Sequence, residues 1–223
     1  ELLENLNEVE GISWIRIMYA YPSMLTDELI KTIAKLDKVV NYIDIPLQHS
    51  HPDILKAMRR PVMDYSELIK KIRDNIPNVA IRTAFIVGYP GETEEHFEHL
   101  YNFIEKTKFD KMGVFQYSRE RNTISYDMEH QVSAKDKQKR YDELMKLQQG
   151  ISKEINANFV GKTLPCLIES INEEDDMVIA RSKRDAVEID GLVYVKTQKP
   201  VIPGDIENVL ITSSDEYDLY GQI

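Results

Sequence analysis

The chain has 223 residues, 42% hydrophobic and 9% aromatic, enough to bury one large core or a large and a small one. Its 28 basic and 38 acidic residues leave a net charge of −10, so no overall positive field draws nucleic acid, and only a local basic patch could do so. No apolar run approaches a membrane span and the opening ELLENLNEVE is acidic rather than a basic and apolar leader, so a cytoplasmic location is expected; the single cysteine, Cys166, excludes an internal disulfide and any multi-cysteine cluster site built from this chain alone.

In chain order, Leu2, Leu3, Leu6 and Val9 read as the last turns of a helix stopped at Gly11. Trp14 to Tyr19 is a predicted strand, and Thr26 opens a helix whose inward face is Leu29, Ile30, Ile33 and Leu36. Val39 to Leu47 is a second strand, ending in the polar loop Gln48-His49-Ser50-His51 before a helix with Pro52 in its first turn. Asp64 to Glu67 starts a further helix with Tyr65, Leu68, Ile69 and Ile72 inward. The run that follows, VAIRTAFIVGYPGET from Val79 to Thr93, is too continuously apolar for a strand with one wet face, which predicts helices on both faces or a place in a closed barrel. It breaks at Gly88-Tyr89-Pro90-Gly91, and Thr93 can cap the helix that carries Phe97, Leu100, Tyr101 and Ile104. Met112 to Tyr117 is a fourth strand.

Strands alternating with helices predict parallel pairing, hence a doubly wound sheet or a TIM-like barrel. Four strands are too few to close a barrel and no strand precedes the first helix, so the domain is expected to be incomplete at its amino end, with a small complete open sheet as the rival. Ser133 to Asn158 is a long bridging helix opened by Ser133 and Asp136. From Gly161 the sequence changes to short β-rich runs, Leu164 to Ile171, Met177 to Ala180, Leu192 to Val195 and Glu207 to Thr212, separated by the acidic turn 172–176, Asp190-Gly191 and Pro203-Gly204-Asp205. That pattern predicts a small β-barrel or sandwich and a boundary near Val160, dividing the chain into 1–159 and 160–223.

In a barrel the polar residues just after each strand converge. Here they are Tyr19 and Tyr21; Asp44, Gln48, His49 and His51; Arg82, Thr83 and Glu92; Gln116, Ser118 and Glu120. Asp44 and Arg82 could equally be a buried structural pair, Gln48 and Ser50 simple caps, and Glu92 a first-turn dipole partner. His49-x-His51 could bind a divalent metal, as in metal-dependent hydrolases, but no later strand end supplies the further ligands such a site needs.

The segments WIRIMYAYP, IDIPLQHSHPDILKAMRRPV, IRTAFIVGYPGETEEHF and FQYSRERNT, in this order, resemble the later part of the radical SAM domain of the methylthiotransferase family, and most resemble its RimO-type members. GKTLPCLIE, RSKRDAVEIDGLVYV, IPGD and EYDLYGQI resemble the RimO version of the TRAM domain, a small OB-like barrel. The resemblance implies a partial TIM-like radical SAM barrel followed by TRAM, and a transferase that methylthiolates the β-carbon of an aspartyl residue of small-subunit ribosomal protein S twelve. It implies S-adenosylmethionine and two [4Fe–4S] clusters as cofactors, with the CxxxCxxC and second-cluster cysteines upstream, no metal ligands in this chain, and an inactive fragment. By that analogy Ile86, Val87, Gly88, Gln116 and Tyr117 bind S-adenosylmethionine, while Gln48, Arg82 and Thr83 face the reacting centre.

Two motifs depart from the family. The usual Glu-x-Gly-Thr reads Glu120-Arg121-Asn122-Thr123, where Asn122 can take a glycine-like left-handed conformation, and Val187 replaces a proline. The alternatives are a tRNA-modifying relative and the metal-dependent hydrolase. From Gly161 on, thirteen acidic residues face six basic ones, a surface suited to a basic protein partner rather than RNA, and only Arg181, Lys183 and Arg184 cluster.

Overall fold

Thr26, Asp64, Thr93 and Ser133 each accept a hydrogen bond from a first-turn amide, so four helices begin where a side-chain oxygen satisfies an otherwise orphaned donor. The structure, a computed structural model, describes residues 1–172 and 177–223; Glu173 to Asp176 of the expected acidic turn lie outside the described residues. The first part runs α1 (Leu2–Asn7), β1 (Ile15–Ile17), α2 (Asp27–Lys35), β2 (Val39–Asp44), α3 (Pro52–Ala57), α4 (Tyr65–Asn75), β3 (Ala80–Val87), α5 (Glu94–Thr107), β4 (Lys111–Gln116) and α6 (Ala134–Ala157). The second runs β5 (Thr163–Asn172), β6 (Met177–Ser182), β7 (Val193–Lys196), β8 (Ile206–Ser214) and β9 (Leu219–Gln222). No helix among the described residues is long and apolar enough to cross a membrane.

The first four strands are parallel and lie in the order β1-β2-β3-β4. Sequential neighbours throughout, with no reversal of order, are the progression of a barrel wall and not of a doubly wound sheet. One face of this sheet packs against helices: Ile43, Ile81, Phe85 and Val87 meet Ile33, Ile69, Ile72, Leu100, Ile104 and Leu144. Phe85 is fully buried, with its ring 5.8 Å from Phe109 and 6.3 Å from Phe103.

Over the amino-terminal half of the opposite face no helix among the described residues provides the cover, which corrects the alternative of helical cover on both sides. That half is covered by the segment between β6 and β7. Ala186 is buried with Val40, Tyr42 and Ala80, the Arg16 guanidinium donates to the Lys183 carbonyl at 3.0 Å, and Lys111 pairs with Asp185 at 2.8 Å. Arg184 pairs with Asp110 and donates to the Asn78 carbonyl.

Two strand bounds contract. The first strand ends at Ile17 and the second at Asp44, and beyond them Tyr19 and Gln48 sit at φ of +56° and +72°, where regular extended backbone is broken. The last five strands close into a barrel in the order β5-β6-β7-β9-β8 around Cys166, Ile168, Val178, Ala180, Val193, Val195, Val209 and Ile211. Strand β9 went unpredicted because it is four residues long and carries a glycine. A Cβ at Gly221 would stand 2.7 Å from the Leu210 carbonyl oxygen, so glycine permits this strand to close the barrel.

Candidate functional site

Period-two alternation sorts the strand residues before any chemistry does. On β3, Ile81, Phe85 and Val87 enter the helix-side core, which leaves Arg82, Ala84 and Ile86 on the inner face, opposite Lys111, Gly113 and Phe115 in the β3–β4 register. Arg82 and Asp44 are ladder neighbours and form an ion pair at 3.1 Å. Asp44 is fully buried and also accepts the Tyr19 amide at 3.2 Å. Arg82 reaches on to Asp190 at 3.5 Å, and the Tyr42 hydroxyl donates to Asp190 at 2.6 Å. Burial and that carboxylate raise the Tyr42 phenol above its ordinary range, keeping it a donor. A charged chain thus runs from the segment after β6, through Arg82 and Asp44, to the loop after β1.

Thr83 is turned the other way. It is fully buried, and its hydroxyl takes the Leu47 amide at 3.4 Å, filling the gap where β2 leaves its ladder. This corrects the expectation that Thr83 faces the same centre as Arg82. Gln48 returns to the sheet through an isolated bridge to Phe85, its amide donating to the Ala84 carbonyl at 2.9 Å and its carbonyl accepting from Ile86 at 2.8 Å, which carries its half-buried side chain to the strand ends.

The turn after β3 is held from behind. Gly88 has φ of +75°, and a Cβ there would stand 2.1 Å from the Lys137 Cγ. Its amide donates to Glu92 at 2.9 Å, and the other oxygen of that carboxylate accepts Arg140 of α6 at 2.8 Å. Burial raises the Glu92 carboxyl above its ordinary pKa and Arg140 opposes this, so Glu92 is an interior anchor, not the exposed dipole partner of the simple alternative.

His49 packs against the same anchor. It is fully buried, its Nδ1 accepts the His51 amide at 2.9 Å, and its Nε2 lies 3.7 Å from Glu92 with no hydrogen bond among the described residues. Burial, together with His51, His96, His99 and Arg140, pushes its pKa down to about 3, so the ring is neutral and the contact is not a salt bridge. His51 turns toward the His96 and His99 rings and caps α3. The two rings of His49-x-His51 therefore do not share a ligand position, and the hydrolase alternative loses its pair.

At the strand ends Ile86, Tyr89 and Tyr117 join Ile54, Met58 and Met128 in a small cluster, with the Tyr89 and Tyr117 rings 5.3 Å apart. The Tyr117 hydroxyl is buried with no hydrogen-bond partner among the described residues. The Gln116 amide donates to Gln138 of α6 at 2.8 Å, and Lys137 donates to the Tyr117 carbonyl at 2.9 Å. Tyr19 and Tyr21 are exposed, the latter under the Arg60 guanidinium, and Ser118 donates to Glu120 on the surface. Asn122 adopts φ of +65°, as a stand-in for glycine requires.

Sequence reasoning missed Phe115 and Lys137. Phe115 is 57% exposed on the inner face beside Ile86, and the alternation Lys111, Gly113, Phe115 against Met112 and Val114 was the signal for it. Lys137 had none, because only the fold lays it over Gly88.

The residues present fit a nucleoside: Ile86 and Phe115 offer apolar surface, and the Tyr117 hydroxyl lacks a partner among the described residues, while the open side of Gly88 is taken by Lys137 and its amide by Glu92. They do not fit an iron–sulfur cluster. Cys166 lies in the core of the small barrel, where burial pushes its thiol up to about 12.

Comparison with known proteins gives two family matches, the Radical SAM superfamily over residues 1–104 and the TRAM domain over residues 160–223. The protein named ribosomal protein uS12 methylthiotransferase RimO from Caldanaerobacter subterraneus subsp. tengcongensis is 49% identical across 100% of this chain, and the one of that name from Rippkaea orientalis is 48% identical across 100%. The chain spans about half the length of these curated relatives, 51% and 49% respectively. Among solved structures, coproporphyrinogen III oxidase (HemN) from Escherichia coli, a radical SAM enzyme, superposes with a TM-score of 0.56 over 82% of this chain and 48% of its own, at 13% identity, a likeness of fold alone.

Proposed function

Since this chain belongs to the RimO-type radical SAM methylthiotransferases, we propose that it is the later part of an enzyme that adds a methylthio group to the β-carbon of an aspartyl residue of ribosomal protein S twelve. The observation that carries this is identity near one half along the entire chain, through strand ends and small barrel alike. We place the domain boundary between residues 159 and 160, and the protein in the cytoplasm. The family's cofactors are S-adenosylmethionine and iron–sulfur clusters; the full-length parent is taken to hold two, on cysteines that this chain lacks.

When bound, S-adenosylmethionine supplies a 5′-deoxyadenosyl radical for hydrogen abstraction and a methyl group for transfer. The chain's own residues bind and orient. Gly88 meets the ligand through its carbonyl, its amide being held by Glu92, and Val87 supports that turn with its side chain in the helix-side core and its carbonyl on the Tyr117 amide, while Ile86 and Tyr117 present surface and a hydroxyl. Gln116 braces the edge through Gln138. Arg82 and Gln48 approach the reacting centre from the inner face, Arg82 held by carboxylates on both sides, while Thr83 acts on them only through the Leu47 amide.

We take the acidic small barrel as the contact for the basic substrate protein. Against RNA stands the pairing of its basic cluster: Arg181 with Glu169 at 2.8 Å and Arg184 with Asp110. The test is the full-length protein with reconstituted clusters, S-adenosylmethionine and the ribosomal protein. Release of 5′-deoxyadenosine with a one-methylthio mass gain on an aspartate is expected, and modification of tRNA alone would overturn the reading.

A further inference from the structure

We propose that His51, Asp53 and His96 form a binding site for a zinc-class divalent metal, on the helix-side surface and separate from the radical chemistry. One ligand atom from each of these residues lies within 4.8 Å of the others. His51 precedes α3, Asp53 is in its first turn, and His96 is in the first turn of α5, so two neighbouring helix starts bring the set together. The His51 and His96 ring centroids are 4.3 Å apart, and the His51 Nδ1 is 3.9 Å from the Asp53 carboxylate. Tetrahedral zinc sets its ligands about 3.3 Å apart, a contraction that side-chain rotation at a half-open site can supply. Imidazole nitrogen with a single carboxylate is the donor set that zinc favours over calcium or magnesium. Asp53 is exposed, which leaves a position for water.

Three features hold the set in place and suit a cation. His99 packs edge-on against His51 at 5.1 Å. Ser50 bonds the His99 Nδ1 at 2.9 Å and fixes that ring beside the site. Glu94 and Glu95 of α5 and Asp53 of α3 offset the positive helix ends that would otherwise repel a cation.

The competing role for these rings is capping. The His51 Nδ1 accepts the Asp53 amide at 3.3 Å and the His96 Nδ1 accepts the Thr93 amide at 3.2 Å. A metal takes one lone pair from each ring, either at Nδ1 or at Nε2 after the ring proton moves to Nδ1, so each cap bond is exchanged for a metal bond. Affinity is therefore weaker than at a dedicated structural zinc site.

The test exploits that exchange. His51→Ser and His96→Gln keep side chains that cap well at these two positions while removing the imidazoles. The chelator-stripped 223-residue chain is titrated with zinc chloride by equilibrium dialysis and with cobalt chloride by visible absorption; the buried Cys166 thiol offers no competing ligand. One zinc per chain is expected, with ligand-field bands from cobalt, and each variant should lose at least about tenfold in affinity with an unchanged circular dichroism spectrum. Absence of saturable binding, or binding retained in the double variant, overturns the proposal.

Discussion

The two faces of the four-stranded sheet are built from alternate residues of the same strands and differ in almost everything else. Toward the helices, Ile43, Ile81, Phe85 and Val87 are buried among aliphatic and aromatic side chains. Toward the inner side, Tyr42, Asp44 and Arg82 form a charged chain closed at one end by Asp190, while Phe115 stands open at the other. The first face holds the fold together. The second is sealed at the amino ends of the strands and left accessible at their carboxyl ends, where a ligand would sit.

The largest effect that would test this contrast is on the helix face. Phe85→Ala should cost about 3–5 kcal/mol in urea unfolding, as a large buried ring in a filled core does, whereas Phe115→Ala should stay within about 0.5 kcal/mol. Comparable losses at the two positions would erase the distinction between the faces. Next comes the seal. Asp190→Ala strips a charge-assisted partner from Arg82 and Tyr42 and should cost about 2 kcal/mol, less than a fully broken buried pair because Asp44 remains beside Arg82. A thermal melt of that variant no different from the parent would mean that the small barrel merely rests against the sheet. Thr93→Ala, which removes the cap behind the glycine turn, should cost about 1 kcal/mol by the same assay.

The smallest effect at neutral pH appears only on acidification. The unfolded chain protonates His49 below about pH 6.5, but the folded chain does not until about pH 3, so the unfolded state binds more protons across that window and stability falls as pH falls. Glu92 acts oppositely, because its raised folded pKa lets the native state take up a proton first and gain stability as pH falls through that value. His49→Gln should therefore lose less stability than the parent between pH 7 and pH 4, as read from urea midpoints. An unchanged slope would show that the ring is not held neutral.

Much of the fold was legible because its signals are local. Thr26, Asp64, Thr93 and Ser133 announce helix starts within four residues, and the apolar run from Ile81 to Val87 announces a buried strand. Asp44 and Arg82 could be suspected as a pair since both interrupt apolar strands. What stayed hidden depends on distant contacts. Asp190 meets Tyr42 across 148 positions of sequence, and nothing in Asp185 to Gly191 says that it will lie on a sheet. The burial of His49 against Glu92, apart from His51 on the ring pair of α5, comes just after the left-handed Gln48, a conformation that glutamine does not advertise.

The seclusion of Cys166 has a practical consequence. With its thiol in the barrel core and held protonated, alkylation by iodoacetamide must wait for the barrel to open. Its rate under native conditions is a clock for that opening, reading the small barrel separately from the sheet and helices. Compared between the parent chain and Asp190→Ala, the clock would say whether the sheet lends the barrel its persistence or only its position.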